Sequence, residues 1–128
     1  MLFLTACKKE IDLPDPSLKN IFGKWEWVET QEVNNLISPS TVGYHQSFEF
    51  QRNGVFRRYR GGNQKDRGRF EIKSEISILS GYYYIIHFKN ATYSDFTDSP
   101  SRVSFVGTDT LKLGEERVDG STHVFVRK

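Results

Sequence analysis

The chain has a single cysteine, Cys7, so it can form no internal disulfide and no thiolate metal site. Long apolar runs are missing. The longest, Tyr82-Tyr83-Tyr84-Ile85-Ile86, has the length of a strand and falls far short of the roughly 18 apolar residues of a membrane-spanning helix. No segment keeps a 3.6-residue apolar period over three turns, which excludes a helical bundle. Repeats and low-complexity tracts are absent as well. Charge of neither sign dominates: 18 basic against 16 acidic residues leave a formal net charge of +2, which argues against a nucleic-acid partner. No glycine-rich phosphate loop follows a strand and opens a helix. The three histidines, His45, His87 and His123, show neither metal-ligand spacing nor a base beside a nucleophile. Asp95 and Asp98 lie in a stretch without the glycine and terminal glutamate of an EF-hand. The expectation is a non-enzyme with no catalytic residue, no metal and no cofactor.

What the chain does have is aromatic and β-branched residues in short runs. Its 10 phenylalanines, 6 tyrosines and 2 tryptophans recur between clusters of Gly, Asn and Asp, which is strand patterning. Strands are expected at 23–33, 44–50, 55–60, 67–73, 75–79, 82–89, 102–106, 110–114 and 122–127. The turns between them are short, as at Asn53-Gly54, Gly61-Gly62, Ser80-Gly81 and Asp119-Gly120, and close antiparallel hairpins. Only 34–43 and 90–101 read as long connections. Asp15-Pro16-Ser17-Leu18 can open one helical turn. The fold class is therefore all-β: an antiparallel up-and-down meander that hides its edges by closing into a barrel, with a two-sheet sandwich as the alternative.

Cys7 ends the string Leu4-Thr5-Ala6-Cys7, and Lys8-Lys9-Glu10 follow it at once. That string resembles the lipobox of bacterial lipoproteins, in which the cysteine is acylated and becomes the new N-terminus. The polar residues after it resemble, loosely, the export signal of surface lipoproteins in the Bacteroidetes. The resemblance implies residues 1–7 as the remnant of a signal peptide, 8–17 as a charged, proline-containing linker and 18–128 as one domain. It also implies a protein of the cell envelope, tethered to the outer membrane through acylated Cys7.

Gly23-Lys24-Trp25, after a short turn and at the start of the first strand, resembles the G-x-W opening of lipocalins. The basic Arg127 ends the last strand, where that family sets a basic residue against the tryptophan. Residues 18–128 as a whole look like the small lipocalin-like domains of bacterial envelope lipoproteins. The likeness implies an eight-stranded barrel in which Gly23, Trp25 and Arg127 seal one end. Their role would be structural, with Trp27 on the same strand face as Trp25.

Arg52, Arg57, Arg58, Arg60, Lys65, Arg67 and Arg69 crowd one region with only Asp66 against them. One reading is a solvated hairpin that discourages edge pairing; the other is an electropositive wall for an anionic group. Tyr82, Tyr83 and Tyr84, with Phe88, Tyr93 and Phe96, supply aromatic surface. The expected function is binding of a small amphipathic, partly anionic molecule by Phe48, Phe50, Phe56, Arg58, Arg60, Tyr82 and Tyr84. The alternative is a barrel filled by its own aromatics that docks on another envelope protein.

Overall fold

The computed structural model describes residues 9–89 and 100–128. Cys7, Tyr93, Asp95, Phe96 and Asp98 lie outside them. A 3-10 helix (Pro16–Ile21) opens the domain, capped by Asp15, whose Oδ1 accepts the Ser17 N–H at 2.8 Å. Then come β1 (Gly23–Glu32), β2 (Asn35–Ile37), a single helical turn α1 (Pro39–Val42), β3 (Gln46–Phe50), β4 (Val55–Arg60) and β5 (Asn63–Ile76). The chain continues through β6 (Tyr82–Lys89), β7 (Ser101–Val106), β8 (Thr110–Glu115) and β9 (Thr122–Arg127).

Every pairing is antiparallel between neighbours, and β9 returns to pair with β1, so β1 and β3 to β9 form a closed eight-stranded barrel. The short β2 adds to the upper part of β1. Closure between first and last strands rules out the sandwich. It also removes the open edges that a meander of this length would expose.

Two elements differ from the sequence expectation. The runs at 67–73 and 75–79 are not separate strands: β5 is continuous to Ile76, because Lys73, Ser74 and Glu75 each face a β6 partner, namely Ile85, Tyr84 and Tyr83. Polar composition there marks a solvated face, not a break. The connection 34–43 is partly ordered into β2 and α1, which ends at Gly43 in the left-handed region (φ 84).

The β5–β6 hairpin is bent. His87 stands opposite Glu71 in register, yet its ring bonds Glu75, four positions further along the same outer face. The hairpin end folds back against β7 and β8, where the Ile78 N–H donates to one carboxylate oxygen of Glu116 and Arg102 donates to the other at 2.8 Å. Ser77 is buried by this contact, whereas Ile76, Ile78, Leu79 and Tyr82 are each more than half exposed.

The 3-10 helix plugs one end of the barrel. Trp25 Nε1 donates to the Ile21 carbonyl at 2.8 Å, and Arg127 donates to the carbonyls of Phe22 and Asn20 at 2.8 and 2.7 Å. The Arg127 guanidinium carbon also sits 4.0 Å from the centre of the Trp25 ring. The ordered packing reaches back beyond Leu18: Ile11 and Leu13 rest against the core, and the Ile11 N–H donates to the Arg52 carbonyl at 2.8 Å.

Candidate binding site at the far end of the barrel

Alternation sends every second residue of each strand inward, and the inward sets change character along the barrel. Near the plugged end they are apolar: Trp25, Phe50, Phe56, Phe70, Ile72, Ile86, Leu111 and Phe125 are buried. Rings from separate walls meet. Phe50 of β3 lies 6.4 Å from Phe88 of β6, Phe56 of β4 lies 5.0 Å from Phe88, and Trp25 of β1 lies 6.2 Å from Phe105 of β7. Phe48 touches Phe50, Phe56 and Phe125 at 5.7, 6.3 and 5.3 Å and has no solvent exposure. These side chains fill the lower barrel as a core.

Two residues further along the same inward faces the composition turns polar. Gln46 follows the phase of Phe48, Arg58 that of Phe56, Asp66 that of Gly68, Glu115 that of Leu113 and His123 that of Phe125. All five are buried. Arg58 Nη1 donates to Gln46 Oε1 at 2.7 Å, and Asp66 is the direct register partner of Arg58.

On the β1–β9–β8 side a bulge between Trp27 and Glu29 advances the inward phase by one residue, which turns Thr30 inward. Its hydroxyl accepts from Trp27 Nε1 at 2.9 Å and contacts His123 Nδ1 at 2.8 Å. His123 Nε2 lies 2.9 Å from Glu115 Oε2, and Glu115 Oε1 accepts from Arg117 and from the Ser121 N–H. Ionised Glu115 can only accept, so Nε2 carries a proton; in the neutral imidazole Nδ1 is then the acceptor, and the Thr30 hydroxyl, which takes its other bond from the indole, donates to it.

The electrostatics agree. Burial pushes His123 below its ordinary value more than Glu115 and Glu32 raise it, with Arg117 adding to the fall. Burial pushes Glu115 up, but the Ser121 N–H, His123 and Arg117 outweigh it and hold the carboxyl below the usual range. The order carboxylate, imidazole, hydroxyl is that of an acid–base relay. Here the hydroxyl is committed at both ends, to Trp27 and His123, and ties β1 to β9 across the wall.

Of the residues expected to bind a ligand, Phe48, Phe50 and Phe56 belong to the aromatic floor and Arg58 to the polar layer above it. Arg60 stacks its guanidinium 4.1 Å from the Tyr44 ring. The two tyrosines stand apart: Tyr82 is 74% exposed on the bent hairpin, and Tyr84 donates its hydroxyl to Asp15 at the plugged end at 3.1 Å. Gly23, Trp25 and Arg127 meet at the plug. Gln46, Asp66, Glu115 and His123 were legible only by extending the two-residue phase outward from the phenylalanines, and Thr30 is displaced from that phase by the bulge.

The architecture is an up-and-down β-barrel, consistent with a lipocalin-like fold, with an aromatic floor under a buried polar layer. No protein-family model matches this chain, and neither does any curated protein.

Proposed function

We propose that this protein is a non-enzymatic, lipid-anchored component of the bacterial cell envelope whose filled barrel serves as a protein-interaction module. The observation that carries this reading is the contact between rings of separate barrel walls, Phe50 with Phe88 and Trp25 with Phe105. A carrier of an amphipathic molecule needs open volume where these rings sit. The bent β5–β6 hairpin supports the same reading, because although its end is bonded to Glu116 it leaves Ile76, Ile78, Leu79 and Tyr82 in solvent, a side-chain set suited to an apolar contact with another envelope protein. The membrane tether rests on the lipobox-like string ending at Cys7.

A second reading, a small anionic ligand held at the far end, is favoured by one observation: the polar layer places Arg58 directly over the aromatic floor. Native mass spectrometry of the gently purified full chain tests the two. The bare polypeptide mass after incubation with envelope extracts is the expected result. A retained small molecule overturns the interaction module in favour of the carrier.

A further inference from the structure

The outer face of β4, β5 and β6 carries like charges directly opposite one another. Arg57 faces Arg67 across β4–β5, and Arg69 faces Lys89 across β5–β6. Like charges at opposed positions destabilise a sheet, so two such pairs on adjacent strands call for an anion. One member of each pair already meets a carboxylate: Glu49, the β3 register partner of Arg57, lies 3.8 Å from it, and Glu71 lies 3.0 Å from Lys89 and 3.2 Å from Lys73. Among the described residues Arg67 and Arg69 have no ion pair; Arg69 donates to the Asn53 carbonyl at 3.1 Å.

The N-terminal tail ends on this same face. A groove of about 580 Å³ is lined by Lys9, Glu10, Ile11 and Asp12 of the tail together with Arg69, Glu71, Lys73 and Lys89, so its basic residues outnumber its acidic ones by only one. Ile11 is fixed there by its bond to Arg52 and by its side chain, which packs where a Cβ on Gly54 would come within 2.6 Å. Cys7 is two residues from Lys9 in the sequence, which the chain can span by at most about 7 Å between Cα atoms.

We infer that the Arg57, Arg67, Arg69 and Lys89 face is the membrane-facing side of the barrel and binds the anionic headgroups of the bilayer. The orientation rests on the lipid-anchored reading proposed above; the charge pattern does not. An acyl chain on Cys7 would bring this face to the headgroups. Anionic phosphates there would relieve both like-charge pairs, and the bent hairpin would be left to face other partners.

The experiment uses the full chain carrying Cys7→Ser, so that no acyl chain contributes, sedimented with phosphatidylcholine vesicles with or without one third phosphatidylglycerol. The expected result is binding to the anionic vesicles only, reversed by high salt. The double variant Arg67→Gln and Lys89→Gln, which relieves repulsion and so keeps the fold, weakens binding by about five-fold per charge removed. Lys112→Gln, on β8, leaves binding unchanged. Equal binding to both vesicles, or to neither, overturns the inference, as does retention on soluble dextran sulfate without vesicle binding, which reassigns the face to a glycan. The mass of the protein extracted from its native envelope reads the anchor separately. An unacylated mass with intact vesicle binding removes the tether and keeps the face.

Discussion

Arg127 and Trp25 stand opposite each other in the β1–β9 register, with the guanidinium carbon 4.0 Å from the ring centre, and the same guanidinium donates to the chain entering the barrel at Asn20 and Phe22. One side chain thus joins the last strand, the first strand and the plug. Gly23 makes room for it: with φ at 122, a Cβ there would come within 2.9 Å of Arg127 Nη1.

Replacing this residue should therefore cost more than a surface charge does. Arg127→Ala is expected to lower stability by about 2 to 4 kcal/mol, the sum of a cation–π contact and charge-assisted bonds to two partly buried carbonyls. Urea unfolding at unchanged m-value checks it. Arg127→Lys should recover less than half, since an ammonium cannot both stack and fork to two carbonyls.

The aromatic floor predicts a cavity where none is needed by the fold. Phe48→Ala should destabilise by about 3 to 5 kcal/mol, because the ring is fully buried among three others. The void is apolar and should stay dry, so the variant should take up xenon or benzene that the parent chain excludes. Uptake by the parent at comparable affinity would show that the lower barrel is already open.

Much of this architecture follows from local sequence. Short glycine turns and alternating aromatics specify an antiparallel meander, and a meander of eight strands closes because its edges are costly. The plug was legible as Asp15-Pro16 before a strand beginning Gly23-Lys24-Trp25. The bent hairpin was not, because the contacts that go with it, His87 with Glu75 and Ile78 with Glu116, join positions far apart in the register or in the chain. The polar layer was hidden for a related reason. Asp66 reads as one acid within a basic run, and only the pairing of β4 with β5 turns it inward beside Arg58 while sending Arg57 and Arg67 out together.

The relay through Thr30, His123 and Glu115 predicts both a tautomer and a pH slope. Long-range nitrogen–proton spectra should show His123 protonated at Nε2 and bare at Nδ1 at neutral pH. Because burial holds its folded pKa below the unfolded value near 6.5, the unfolded chain takes up the proton first, and stability falls as pH drops through that range. Glu115 acts with the same sign at lower pH, since its carboxyl is also held below the usual range when folded. His123→Gln should flatten the slope between about pH 7 and pH 5 in thermal unfolding. An unchanged slope would place the responsible group elsewhere.

Arg58 and Asp66 decide how the polar layer is held. They are register partners, 1% and 2% exposed, above a floor of phenylalanines, so the β4–β5 pairing sets opposite charges across from each other in the buried layer. Arg58→Leu should destabilise by about 3 to 5 kcal/mol by leaving a buried acid without its counter-charge, and Asp66→Leu should cost a similar amount. The double variant should recover most of that loss, because two leucines continue the apolar floor upward with no charge left to solvate. Such a cycle, measured by chemical unfolding, separates a pair kept for folding from one kept for binding. Strong coupling with a stable double variant assigns the layer to the architecture of the filled barrel. Weak coupling, with Arg58→Leu alone nearly neutral, would mean that the guanidinium is not committed to Asp66, and would favour the anionic ligand at the far end over the interaction module.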